Sequence, residues 1–483
     1  MIHWTAVARL LGFFLGGLAL SMAVPFLFAL WNGDEGIVGL AGGMAVSAVL
    51  GAGLWWGIPG EPSDVSRRDG ILLVTLVWMA ATAVGALPYV FSGYIPSFTD
   101  AFFETMSGFT TTGATILTDI EGLPRSLLLW RALTHWLGGM GIIVLGIAVL
   151  PILGVGGMAL YRAEFSGARS EKLKPRVAET ALALWRIYAA LSLAEYLALR
   201  WAGMDRFEAV CHTFATMATG GFSTRAASIE AYHSPTIEYV IIVFMLLAGV
   251  NFTRHYQLFV ERRVRPVWQD TEIRAYLAIA FVATGLVAVT LFVNHEYALE
   301  PAFRFAAFQV VSILTTTGFS SANFEHWAPF ATFILLALMF IGGCTGSTAG
   351  GLKVSRMVLL LKVVAREFRR TVEKRGVFAI RMEGRAVPET AIDGLLNLVY
   401  ISFLVNFVAC LIVTAGGTDL ITAISAVAAC MFNIGPGLGE VGPADNYAHF
   451  SVLVKWVLSL CMLAGRLEFF TLLVLLSPAF WRK

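Results

Sequence analysis

Long apolar runs separated by short polar stretches set the pattern of this chain. Segments apolar enough to cross a bilayer fall at about 8–30, 37–58, 71–91, 126–153, 180–203, 235–260, 272–294, 327–361, 388–414 and 448–478. Each approaches or exceeds the roughly 20 residues that a helix needs to cross the hydrocarbon core, so the pattern predicts ten spanning helices. Four shorter semi-apolar stretches lie between later spans, at 98–109, 205–217, 301–314 and 418–432. These are too short to span, roughly 20 Å long as helices. Each runs into a Thr/Asn/Gly-rich loop and then a new spanning segment. The unit of spanning helix, short helix, glycine loop and spanning helix therefore occurs four times. The pattern predicts an N-terminal two-helix hairpin over 1–62, then repeats over 63–160, 175–262, 268–370 and 386–483. The expected fold class is an all-α polytopic membrane protein with four fused repeats in a pseudo-fourfold arrangement.

Composition agrees with a lipid solvent. Hydrophobic residues make up 58% of the 483 positions and charged residues 14%, against roughly a quarter charged in soluble domains. The net charge of +2 is close to neutral and gives no sign of nucleic-acid binding. Its distribution is more informative. One set of loops holds Arg67 and Arg68; Arg162, Arg169, Lys172, Lys174 and Arg176; Arg262, Arg263 and Arg265; and eight basic residues from Lys362 to Arg385. The opposite set carries Asp34 and Glu35, Asp119 and Glu121, Glu296 and Glu300, and Glu440 and Asp445. The positive-inside rule places the first set and both termini in the cytoplasm. Residues 1–30 are read as a retained span, because the apolar run is too long for a typical signal-peptide core and a second one follows closely.

Enzymatic chemistry finds no support. The five cysteines are scattered without a C-x-x-C pair and read as reduced, buried residues. The histidines form no H-E-x-x-H pattern, and no nucleophile–base constellation is present.

The four loops carry the chemistry. They read Thr110-Thr111-Thr112-Gly113-Ala114, Ala218-Thr219-Gly220-Gly221-Phe222, Thr315-Thr316-Thr317-Gly318-Phe319 and Phe432-Asn433-Ile434-Gly435-Pro436. Aligned on the last glycine, the residue two before it is Thr111, Thr219, Thr316 or Asn433. The glycines recur at about one hundred residues, one repeat each. A dehydrated monovalent cation needs several oxygen ligands, and backbone carbonyls from four loops can ring it. Glycine permits the backbone that turns successive carbonyls toward one axis. A short helix ending at the loop directs its negative end at the ion. The expected ion site is Thr111, Thr112, Gly113, Thr219, Gly220, Gly221, Thr316, Thr317, Gly318, Asn433, Ile434 and Gly435. Asp100 and Glu104 open the first short helix, where carboxylates suit the positive helix end, and as a secondary role are expected to raise the local cation concentration.

The stretch 342–351, Gly-Gly-Cys-Thr-Gly-Ser-Thr-Ala-Gly-Gly, interrupts an apolar segment. Each glycine costs a helix interior about 1 kcal/mol. A phosphate loop would need lysine directly after the last glycine, and Leu352 stands there. Two readings remain: a close-packed helix interface of small residues, or an unwound loop inside the membrane. Arg466 and Glu468 lie within the last span, where charge is costly unless paired or facing water. Arg466 either sets a barrier or touches the unwound loop, or it pairs with a carboxylate between repeats. Arg131 and His135 are read as structural, with a funnel role open. Gly12 and Gly16 are read as close packing.

The loop phrases TTTGAT, TGGFST, TTTGFSS and NIGPGLG together resemble the TrkH/TrkG branch of the Trk/Ktr/HKT potassium transporter superfamily. The resemblance covers about 71–478, and the two leading helices suit the TrkH type. It implies potassium uptake across a bacterial inner membrane, with K+ as the transported ion. It implies an intramembrane gate at Gly342, Gly343, Thr345, Gly346, Ser347, Thr348, Gly350 and Gly351, with Lys353 and Arg466 beside it. It also implies a homodimer in lipid and a cytoplasmic TrkA-type nucleotide-binding ring. A potassium-binding subunit of an ATP-driven pump and a sodium-permeable relative remain as alternatives.

Overall fold

The computed structural model describes residues 2–58, 66–144, 173–374 and 376–482. Arg162, Arg169, Lys172 and Arg375, the end of the fourth predicted span and part of the 63–160 boundary lie outside them.

Two helices, α1 (Trp4–Asn32) and α2 (Ile37–Trp56), form the N-terminal hairpin. They touch backbone to backbone where Gly12 and Gly16 face Gly51: a Cβ on Gly51 would lie 2.8 Å from the Gly16 nitrogen. The GxxxG pattern here serves close packing. Then follow α3 (Arg67–Gly85), the short α4 (Phe98–Phe109) and α5 (Arg125–Val144). The next unit is α6 (Leu173–Trp201), α7 (Arg206–Met217), α8 (Pro235–Ala248) and α9 (Phe252–Phe259). The third is α10 (Thr271–Val293), α11 (Leu299–Leu314), α12 (Pro329–Leu338) and α13 (Val354–Val372). The fourth is α14 (Glu389–Ala415), α15 (Leu420–Met431), α16 (Val452–Arg466) and α17 (Phe470–Leu473). The chain is helical and polytopic. The one sheet among the described residues is a two-stranded hairpin, Arg381–Met382 with Arg385–Ala386, in the basic segment after α13.

Three predicted spans are not single helices. The segment 235–260 bends by 101° between α8 and α9, and 448–478 bends by 112° after α16. The segment 327–361 is non-helical between α12 and α13, which removes the reading of 342–351 as a helix–helix interface. Asn251 caps α9 through the Thr253 amide. The last break has neither glycine nor proline: Glu468 and Phe469 adopt φ of 56° and 55°.

Ion pairs brace the first unit internally and tie neighbouring units together. Glu104 of α4 meets Arg131 of α5 at 2.6 Å, Glu238 of α8 meets Arg304 of α11 at 2.5 Å, and Lys455 of α16 meets Asp100 of α4 at 2.6 Å. These pairs lie in largely buried surroundings, where losing one partner leaves a costly uncompensated charge.

Candidate functional site

Each short helix ends the same way. The residue two before the glycine is left-handed, with φ of 53° at Thr111, 53° at Thr219, 56° at Thr316 and 56° at Asn433. Its amide bonds back to Gly108, Thr216, Ile313 or Cys430. The next amide reaches one residue further back: Thr112 to Ser107 O (2.9 Å), Gly220 to Ala215 O, Thr317 to Ser312 O and Ile434 to Ala429 O (each 2.8 Å). This pair of bonds is the Schellman ending of a helix, with its left-handed residue just past the cap. The glycines then return to positive φ, 85° at Gly113, 78° at Gly221, 82° at Gly318 and 98° at Gly435.

The four loops close a ring in chain order. A Cβ on Gly113 would lie 2.2 Å from Gly220 O, one on Gly221 2.0 Å from Thr317 O, one on Gly318 1.9 Å from Ile434 O, and one on Gly435 2.7 Å from Thr112 O. All twelve sequence-predicted ion-site residues thus belong to one closed ring of backbone. The Asn433 side-chain nitrogen Nδ2 donates to Thr112 Oγ1 across the seam between the last unit and the first, and to Met462 O of its own unit, each at 3.0 Å. A cavity of about 70 Å3 is lined by all four glycines together with Arg131, Ser223 and Tyr447.

Glycines on the second helices bring the ring's supports close. A Cβ at Gly138 of α5 would lie 1.9 Å from Phe109 O, and one at Gly465 of α16 1.7 Å from Met431 O.

Some residues have roles that the sequence pattern did not reveal. His135 places Nδ1 2.7 Å from Gly108 O, and its Nε2 accepts the Phe222 amide at 3.2 Å, so the proton sits on Nδ1. Arg131 donates to Ser223 O at 2.8 Å and lies 3.5 Å over the Phe222 ring. Both residues hold the second loop from behind. Glu104 is 1% exposed and faces Arg131, Thr115 and the Ile116 amide. Asp100 is paired with Lys455. The pair of carboxylates expected to gather cations is therefore spent on structure. Asp205 and Asp419 cap the second and fourth short helices. Asp205 is held below the usual carboxylate range by the Phe207 amide, and Asp419 by hydrogen bonds from Thr422.

The segment 342–351 lies against the ring's short-helix side. The Gly350 amide donates to Thr316 Oγ1 at 2.6 Å, and a Cβ on Gly350 would lie 2.4 Å from Phe432 O. Thr348 Oγ1 donates to Met217 O at 3.0 Å. Cys344 N donates to Gly249 O at 2.8 Å, and Gly346 O accepts from Phe252 N at 3.1 Å, so the loop docks on the break between α8 and α9. Arg466, 3% exposed, donates to Thr348 O at 2.9 Å and to Gly138 O at 3.5 Å, while its Nε has no partner among the described residues. Its partners are carbonyls rather than a carboxylate; Glu468 pairs instead with Arg356 at 2.7 Å. Lys353 Nζ folds back onto Ala349 O and Gly350 O. The predicted gate residues are thus one assembly beneath the ring. No group of His, Cys, Asp and Glu suited to a metal ion occurs among the described residues.

Comparison with known proteins supplies the context. A family model described as "TrkH: Cation transport protein" matches residues 39–483. The chain is 43% identical over 485 residues to the Trk system potassium uptake protein TrkH of Escherichia coli (strain K12), covering 100% of both. It is 33% identical to the Trk system potassium uptake protein TrkG of the same organism, over 100% of this chain and 99% of that protein. Its structure is similar to the crystal structure of the potassium transporter TrkH from Vibrio parahaemolyticus, with a TM-score of 0.92, 40% identity and 100% of both chains covered.

Proposed function

The chain belongs to the TrkH family of cation transport proteins, and from that premise we propose that it takes up potassium across the cytoplasmic membrane through the ring of four loops. The observation that carries this reading is the closure of the ring, glycine to neighbouring carbonyl, in chain order. Alternation of positive and negative φ along each loop turns successive carbonyls to one side of a strand. Four such strands offer a dehydrated cation a cage of oxygens, which is how potassium pathways replace the hydration shell. The short helices end at the ring and aim their negative ends toward it. Irregular backbone at membrane depth fits a buried or water-lined path. The repeats over 63–160, 175–262, 268–370 and 386–483 are the units that supply one strand each.

Opening belongs to 342–351. The loop touches the ends of the second, third and fourth short helices, so a cation leaving the ring inward must displace it. Arg466 places a positive charge beside the same passage and opposes cation exit while it holds Thr348. A homodimer and a TrkA-type cytoplasmic ring acting on the basic segments complete the proposal, with the inner membrane as location and the termini inside.

Flux from liposomes holding the purified chain tests this. Rubidium and potassium are expected to pass without nucleotide hydrolysis, faster than sodium or caesium. Equal passage of all four would end the ring reading, and flux that required ATP would favour a pump subunit.

A further inference from the structure

We propose that Glu272 is the latch that holds the 342–351 loop in its closed position. This rests on the reading of that loop as the gate. Glu272 is the second residue of α10 and is 8% exposed. Its Oε1 accepts from the Thr345 amide at 2.7 Å, the Thr345 hydroxyl at 3.0 Å and the Ser355 amide at 3.0 Å. Thr345 lies inside the loop and Ser355 in the first turn of α13, so one carboxylate oxygen clamps the two sides of the irregular segment together. The hydroxyls of Thr345 and Ser355 meet at 2.6 Å and close the clamp.

The energetics single out this contact. The loop's other anchors are backbone carbonyls and amides, the Thr316 and Ser355 hydroxyls and two cations; Glu272 is the one anionic group among the hydrogen-bond partners described for the loop. Bonds to a carboxylate are shorter and roughly twice as strong as neutral ones, and the first turn of α13 favours negative charge. The position of Glu272 is itself fixed. Asp270 caps α10 by accepting the Glu272 and Ile273 amides at 2.8 and 3.1 Å, and its other oxygen meets Arg254 Nε of α9 at 2.7 Å. The latch therefore hangs from the broken helix of the second unit and grips the loop of the third. No hydrogen bond of its side chain reaches the ring, so releasing it changes opening and not selection.

The test uses the full chain in proteoliposomes without any partner. E272A is expected to raise basal rubidium efflux roughly tenfold and to speed alkylation of Cys344, which is buried in the closed loop. The order of preference among alkali cations should stay as in the parent protein. E272Q keeps an acceptor oxygen and loses the charge, so a smaller rise is expected; it carries the test if E272A does not fold. Parental efflux in folded E272A or in E272Q overturns the latch, and so does a changed cation order. Deletion of 342–351 runs in parallel. Faster efflux there with parental efflux in E272A removes the latch alone, whereas parental efflux in the deletion removes the gate reading and the latch with it.

Discussion

Thr111, Thr219, Thr316 and Asn433 share a position two before the glycine in sequence, and in the fold they share a backbone φ between 53° and 56°. Left-handed backbone costs a β-branched residue about 1–2 kcal/mol, and the Schellman bonds of each short helix impose it. Asn433, the odd member by sequence, tolerates that conformation better than threonine and uses its amide to bind Thr112 across the seam. The glycines were legible because glycine is the residue that left-handed backbone asks for. The left-handed threonines were not, since threonine announces strand and hydroxyl chemistry instead. Gly221→Ala is expected to cut rubidium flux by about tenfold or more and to lower discrimination against sodium, because it adds a Cβ 2.0 Å from Thr317 O at φ 78°. Gly33→Ala is the control. Its φ is 64° with open space around it, so it carries similar backbone strain and should leave flux and selectivity at parental values. Equal loss in both variants would assign the effect to folding and not to the ring.

Helix breaks divide into those that composition announces and those that it hides. Five glycines between 342 and 351 made the third unit's break readable. The bend after Arg466 rests on tertiary contacts, with Arg356 paired to Glu468 at 2.7 Å and two non-glycine residues at positive φ. Hydropathy cannot reveal such a bend, because both halves are apolar. The consequence is that Arg466 ends its helix directly beneath the ring and reaches Thr348. A buried cation without a carboxylate partner carries a desolvation cost that its removal relieves. Arg466→Ala is therefore expected to raise basal flux several-fold while leaving the melting temperature unchanged or slightly higher. A clear fall in melting temperature, with flux lost, would make Arg466 a structural brace. Gly465→Ala should behave in the opposite way: its Cβ would press to 1.7 Å from Met431 O, so α16 must shift from α15. Lower thermal stability together with reduced flux is expected, measured on the same preparations.

Across the whole molecule, charge and contact agree on which segments share an end. The His3 amide and ring meet Asp69 at 2.8 and 2.7 Å, and Arg68 reaches the Arg482 carbonyl at 2.6 Å, so both ends of the chain gather at the start of α3. Lys362 meets the Arg381 carbonyl at 2.8 Å, and Arg254 meets Glu383 at 3.5 Å, so α9 and the basic segment after α13 also share one end. At the opposite end Glu121 accepts the Ala226 amide at 3.0 Å, and Ser126 bonds to Asp34, which joins the acidic connections of the hairpin and the first unit to the connection after α7. Both groups were readable from the sequence through the excess of lysine and arginine in alternate loops; the contacts that knit each group together were not, because they join residues far apart in the chain. A protein oriented by that excess keeps the Lys362–Arg385 segment in the cytoplasm. Single cysteines at Glu440 and Arg370, both exposed, separate the two orientations. In whole cells the Glu440→Cys chain should react with a membrane-impermeant maleimide, and the Arg370→Cys chain only after the cells are opened. The reverse pattern would turn the molecule over, placing the 342–351 loop on the outer side of the ring and converting the proposed inner gate into an entry barrier.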